Sequence, residues 1–243
     1  MSAPTEASFA DAARAIEGVE GWLTEAQARR LWDAATAMSD RGRIVEIGSF
    51  RGRSTVVLAL AAAGRAEEIV AIDPHAGNDR GPREIGGFEA EAATDHDVFN
   101  ANLERAGVRG RVRHVRRFSS AATGDVDGGI DVLYVDGAHR YLPALDDVRT
   151  WGDRVTEGGT LLVHDAFSSV GVTLALLRST VFDRRWRYVG RSGSLVEYRR
   201  EAVVGAGRVR NVARQLAQLP WFARNLVLKV LIVAKLRKGP WPY

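Results

Sequence analysis

Two short strings in the second half of the chain carry the densest chemistry. Asp136-Gly-Ala-His139-Arg-Tyr141 follows the apolar run Ile130–Val135, and His164-Asp165-Ala166-Phe167 follows Gly158-Gly-Thr-Leu-Leu-Val163. Each places a carboxylate and an imidazole where a strand-length apolar segment ends. If the two strands lie parallel in one sheet, both acids leave it at the same edge. Two carboxylates with one or two imidazoles suit Mg2+, or Mn2+ where nitrogen takes part, better than a soft metal. Each acid also reads as the cap of the helix that follows it.

A third string, Glu46-Ile-Gly48-Ser49-Phe-Arg-Gly52-Arg-Ser54, ends the short strand of Ile44, Val45 and Ile47 and opens the apolar helical segment Thr55 to Ala61. Gly48 and Gly52 lack Cβ atoms. The backbone can therefore take positive φ, and a ligand can approach the main chain at a helix N-terminus, where free N–H groups gather. The spacing E-x-G-x-x-x-G departs from the G-x-G-x-x-G of dinucleotide-binding turns. Glu68-Ile-Val-Ala-Ile-Asp73 reads as the next strand, and an acid at its end is placed to meet ribose hydroxyls. The other reading of Asp73 is a turn former before Pro74.

These strings need a scaffold. Phe9 to Ile16 reads as a first helix, and a second starts after Thr24, whose hydroxyl can cap it, with Ala28, Leu31, Trp32, Ala35 and Met38 at helical spacing. Trp22 reads as core or lid packing. His75 to Gly87 has no periodicity and reads as a loop leaving the ligand-binding edge, either a substrate lid or a solvated insertion. A helix over Asp95 to Ala106, a strand over Val112 to Val115, helices after Tyr141 and over Val170 to Val181, and a hairpin over Arg187 to Tyr198 complete the pattern.

The glycine string resembles the first motif of class I S-adenosylmethionine-dependent methyltransferases. D-G-x-H after the fourth strand and an acid after the fifth resemble the metal-dependent small-molecule O-methyltransferases, above all the sugar-modifying ones (macrocin O-methyltransferase-like and mycobacterial polysaccharide-methylating enzymes). The resemblance covers residues 40 to 200 approximately. It implies an α/β fold: a Rossmann-like, doubly wound, mostly parallel seven-stranded sheet with an antiparallel final pair. It implies S-adenosylmethionine held by Glu46, Gly48, Ser49, Gly52, Ser54, Asp73, Ser119 and Asp136. Mg2+ or Mn2+ would sit on Asp136 and Asp165. His139 stands where catechol-type relatives have a catalytic lysine, and sugar-modifying relatives use histidine there as general base. Ala166 stands where catechol-type enzymes have a metal-binding Asn, so the third ligand is open; His164 is either that ligand or a packing residue beneath the sheet. Acceptor contacts are expected from His75, Asp79, Arg80 and Tyr141.

The implied reaction is methyl transfer to a hydroxyl of a sugar or glycosylated small molecule. A cephalosporin-hydroxylase-like enzyme on the same scaffold and a non-catalytic cofactor-binding or membrane-surface scaffold stand as alternatives. Composition narrows the field further. At 243 residues and 46% hydrophobic content the chain can build one large α/β core, divided as an N-terminal helical lid (1–40), a cofactor-binding domain (41–200) and an amphipathic C-terminal extension (201–243). With no cysteine, any metal must sit on oxygen and imidazole. Net charge is only +4 and no nucleic-acid module is recognisable, so nucleic acid is not an expected partner. The first residues lack a signal-peptide pattern, and a cytoplasmic location is expected. In the extension, Val209, Val212, Ala213, Leu216 and Leu219 share a face, Pro220 interrupts it, and Leu226 to Ala234 is too short to span a bilayer. It can fold back on the core, pack on a second subunit of a homodimer, or lie peripherally on the inner face of a membrane.

Overall fold

A computed structural model describes residues 7–77 and 93–238. Seven strands form one sheet: β1 (Gly42–Ile47), β2 (Ala66–Ile72), β3 (Val112–Val115), β4 (Ile130–Val135), β5 (Val155–Val163), β6 (Trp186–Ser192) and β7 (Leu195–Arg200), ordered β3-β2-β1-β4-β5-β7-β6. The first five run parallel, and β7 joins β5 antiparallel and pairs with β6 at the edge. The strand order reverses between β1 and β4, which opens a crevice at the carboxyl ends of the strands.

The parallel strands are apolar throughout because both their faces are covered. Alternate residues go to opposite sides. Ile44, Ile69, Ala71, Val132 and Leu162 pack on one face with α1 (Phe9–Ala15), α2 (Glu25–Thr36), α3 (Arg53–Ala61) and α4 (Asp95–Arg105). Val45, Ile47, Val70, Ile72, Leu133 and Leu161 pack on the other with α5 (Tyr141–Thr150) and α6 (Val170–Ser179). The expected doubly wound sheet is what the chain forms.

The N-terminal helices belong to this core. Thr24 caps α2 as expected: its Oγ1 accepts from Gln27 N at 3.3 Å, and Gln27 Oε1 accepts from Thr24 N at 2.8 Å. Ala12, Ile16 and Leu31 are buried against the sheet-side residues. Among the described N-terminal residues, the loop between α1 and α2, Glu20 to Leu23, is the part that reaches the crevice.

The C-terminal extension forms α7 (Gly205–Leu216) and α8 (Leu219–Val233), with Pro220 in the first turn of α8, where a missing N–H costs nothing. Polar side chains fold it back on the body. Asn211 Oδ1 accepts from Tyr188 N at 2.7 Å, Asn225 Nδ2 donates to Phe167 O at 3.2 Å, and Lys229 Nζ donates to Ser168 O at 2.8 Å. Val209, Val227, Val230 and Val233 face outward. Taken together, Gly205–Val233 is long and apolar enough to cross a membrane by length and composition, which the shorter run Leu226 to Ala234 is not. The Asn225 and Lys229 contacts nevertheless hold α8 to the body.

Candidate active site

The crevice starts at the turn after β1. Gly48 and Gly52 both have positive φ, 83° and 86°, and Phe50 between them has φ 44°. The Asp73 carboxylate fixes this turn: Oδ2 accepts from Ser49 N at 2.9 Å and Phe50 N at 2.8 Å, while Oδ1 accepts from His75 N at 2.8 Å. Arg51 and Arg53 tie the turn to its surroundings. Arg51 Nε donates to Asp95 Oδ1 at 2.9 Å, and Arg53 donates from Nη1 to Ile16 O at 3.0 Å and from Nε to Leu23 O at 3.2 Å. Trp22 is thereby held against Phe50, ring centroids 5.4 Å apart, at the rim.

The glycines serve the chain before any ligand. A Cβ on Gly48 would lie 2.1 Å from the Asp136 carbonyl oxygen, and one on Gly52 would lie 2.7 Å from Leu103 Cδ1 on α4. Gly48 still lines the crevice, whereas Gly52 does not. Gly52 is required by its packing against α4. Glu46 is also absent from the lining. Fully buried, it accepts from the hydroxyls of Ser54 and Thr55, the latter at 2.5 Å, and so anchors the first turn of α3. Ser54 borders the crevice with its hydroxyl committed to Glu46. Ser49 Oγ, in contrast, is buried at the crevice with no hydrogen-bond partner among the described residues.

Burial pushes the Glu46 carboxyl up from its ordinary 4.5 to about 8; the Ser54 and Thr55 hydrogen bonds oppose the rise, and the charges of Asp136 and Asp73 add to it. The folded chain therefore holds a proton that the unfolded chain loses above pH 4.5 or so. This contribution to stability is fully present below 4.5 and is lost as pH rises through about 8. Thermal unfolding from pH 5 to 8 is expected to show the wild-type midpoint falling more steeply than that of Glu46→Gln. Parallel curves would mean that Glu46 is ionised in the fold.

The second half of the site forms where β4 and β5 end. Val135 pairs with Val163, so Asp136 and His164 are neighbours across the sheet, and His164 N donates to Val135 O at 2.9 Å. Asp165 then takes a left-handed conformation, φ 52°, which an aspartate tolerates better than most residues. This turn out of the strand lets two successive residues reach one place. His139 Nε2 lies 3.0 Å from Asp165 Oδ2, and His164 Nδ1 lies 3.1 Å from Asp136 Oδ1 and 3.3 Å from Asp165 Oδ2. Tyr134 donates its hydroxyl to Asp136 Oδ2 at 2.7 Å. One ligand atom each from Asp136, His139 and Asp165 lies within 4.8 Å of the others, a donor set of two carboxylates and an imidazole that fits a hard divalent cation.

Burial and charge act in opposition on His164 and Asp165. Burial alone would depress the His164 imidazole, but the carboxylates of Asp136 and Asp165 outweigh it and hold the ring well above its usual range. Burial would raise Asp165, but the charges of His164 and His139 and their hydrogen bonds hold it well below the carboxylate range. The His164 side chain, 1% exposed, presents Nδ1 to both carboxylates.

The crevice encloses about 870 Å3, within the range of small-molecule sites. Ser119 lies in it, donating to Asp147 Oδ1 at 2.5 Å, and burial pushes Asp147 up to about 6. Phe118, 52% exposed, presents an aromatic face beside them. Of the expected acceptor contacts, Tyr141 is exposed and outside the lining. His75 borders the crevice, but its side chain is 1% exposed and packs against Phe99, His96 and His114. Asp79 and Arg80 lie outside the described residues. Sequence reasoning missed Lys229, which α8 brings into the lining beside Asp165; burial lowers its ammonium and the Asp165 charge opposes the shift. The one available signal was a lysine interrupting an apolar run.

A seven-stranded sheet of this order, with an acid-clamped turn at its switch point, is an α/β fold built to bind a nucleotide-like cofactor. Residues 45–166, half of the chain, match the family described as a methyltransferase domain, and the chain belongs to that family. Over 137 residues it is 26% identical to the uncharacterized protein R132 of Acanthamoeba polyphaga mimivirus, covering 54% of this chain and 55% of that one. The chain thus spans about half the length of this curated relative. Among solved structures, cofactor-bound Rv0187 from MTB aligns with a TM-score of 0.57 at 18% identity, over 79% of this chain and 88% of that one. The O-methyltransferase TomG from Streptomyces achromogenes, involved in Tomaymycin synthesis and solved in complex with SAM, aligns with a TM-score of 0.56 at 18% identity, over 80% and 89%. At such identities the likeness is one of fold: the class I methyltransferase sheet with its antiparallel final pair.

Proposed function

We propose that the chain is an S-adenosylmethionine- and Mg2+-dependent O-methyltransferase acting on a hydroxyl of a sugar or glycosylated small molecule. The observation that carries this reading is the meeting of Asp136, His139 and Asp165 at the same sheet edge as the acid-clamped glycine turn. Two features support the cofactor: the unpartnered Ser49 Oγ and the polar and aromatic wall of Ser119 and Phe118. When bound, S-adenosylmethionine supplies an electrophilic methyl group, and Mg2+ on Asp136 and Asp165 lowers the pKa of an acceptor hydroxyl.

The chain's own residues then have distinct tasks. Asp165 Oδ2, 3.0 Å from His139 Nε2, orients the ring that takes up the acceptor's proton. His164, 3.1 Å from Asp136 Oδ1 and 3.3 Å from Asp165 Oδ2, braces the two carboxylates, and its charge helps hold Asp165 well below the usual carboxylate range. Trp22, Phe50 and Phe118 at the crevice limit water access to the reacting groups.

The test is incubation with methyl-labelled S-adenosylmethionine and a panel of glycosides, with Mg2+ and with excess EDTA. Label is expected in a glycoside only with Mg2+. Undiminished transfer under EDTA would make the acids structural and the reaction metal-independent.

A further inference from the structure

Three of the chain's five histidines gather away from the carboxylate centre. His75 follows β2, His96 sits in the first turn of α4, and His114 is on β3. Their ring centroids are 4.6 Å (His75–His114), 5.2 Å (His96–His114) and 5.8 Å (His75–His96) apart. One nitrogen from each lies within 4.8 Å of the others.

We propose that His75, His96 and His114 form a zinc-type site that staples β2, β3 and α4 behind the glycine turn. Both ring nitrogens of His75 are buried without a hydrogen-bond partner among the described residues, and Nε2 is 3.8 Å from Asp73 Oδ2, beyond hydrogen-bond reach. Nδ1 of His96 and Nδ1 of His114 are also unpartnered. A buried imidazole with neither nitrogen satisfied costs free energy that a shared cation would remove.

Groups around the rings suit the role. His114 Nε2 lies 3.1 Å from the Asp73 carbonyl oxygen, so a proton there leaves the Nδ1 lone pair for a metal. Asn100 Nδ2 lies 3.1 Å from His96 Nε2 and donates to His96 O at 3.0 Å, which holds the amide beside that ring. Three imidazoles without a carboxylate select a borderline ion such as Zn2+ over Mg2+. Tetrahedral Zn2+ needs its nitrogens roughly 3.3 Å apart, given Zn–N bonds of about 2.0–2.1 Å. The three nitrogens, within 4.8 Å of one another, must draw in around the ion. Because Asp73 clamps both the glycine turn and His75 N, an ion here would stiffen the cofactor side of the crevice.

The test is Zn2+ titrated calorimetrically into the chelator-stripped full chain, with thermal unfolding alongside. Wild type and Asp165→Asn are expected to bind Zn2+ at this site and melt higher with it. His96→Ala and His114→Ala should lose more than the about 10- to 100-fold in affinity that an outer-shell loss costs. Unchanged affinity in both histidine variants, or loss of binding in Asp165→Asn alone, overturns the proposal. Co2+ visible absorption of the wild type decides the matter even where a variant fails to fold. Tetrahedral bands that Zn2+ displaces and excess Mg2+ does not support the site, and their absence refutes it.

Discussion

A Gly48→Ala chain is expected to be destabilised by about 4 kcal/mol or more, a loss reserved for substitutions that break a specific structural device. The added Cβ would lie 2.1 Å from the Asp136 carbonyl oxygen and 2.6 Å from its carbon, so backbone and not a flexible side chain must move. That backbone leads into the Asp136 carboxylate, and the damage would reach the cluster of Asp136, His139 and Asp165. Gly64→Ala is the control. Gly64 has φ +79°, close to the +83° of Gly48, and its Cβ would meet nothing within 4 Å. It should lose only the left-handed conformational cost, about 1–2 kcal/mol. Urea denaturation of both variants separates the contributions. Equal losses would mean that the close approach of β1 and β4 is not a constraint.

The second large effect is on turnover. His139→Ala is expected to lower methyl transfer by about 10²- to 10⁴-fold, the range for losing a positioned base. Binding of S-adenosylhomocysteine, followed by calorimetry, should be little changed, because the Asp73 clamp and the Ser49 hydroxyl are untouched. Asp165 would keep His164 as a hydrogen-bond partner, so the variant should fold normally.

The secondary structure was readable because parallel strands covered on both faces leave plain apolar runs. Val112–Val115 and Ile130–Val135 have the expected bounds, and Thr24 caps its helix. The convergence of Asp136, His139 and Asp165 was readable too, since residues leaving parallel strands share an edge. What failed was the identity of partners. A glycine in sequence announces an unusual backbone but not which neighbour requires it, and for Gly48 that neighbour is the Asp136 carbonyl. Asp73 lines the crevice and also accepts three backbone N–H groups, a demand set by the turn's tertiary path that no local pattern shows. His75 was expected to meet an acceptor, but a left-handed φ of 47° accompanies the packing of its ring with His96 and His114, which arrive on other elements. Lys229 enters the crevice only because α8 folds back through polar contacts no local pattern encodes.

In the proposed reaction His139 accepts the acceptor's proton beside a metal held by Asp136 and Asp165. Single-turnover methyl transfer against pH, at saturating S-adenosylmethionine and a series of Mg2+ concentrations, tests this role in wild type, His139→Ala and His139→Lys. A base at His139 predicts that no Mg2+ concentration restores the alanine variant. It also predicts that lysine recovers part of the rate with a profile displaced to higher pH. Recovery of His139→Ala by raised Mg2+ alone would contradict it and make His139 a metal ligand.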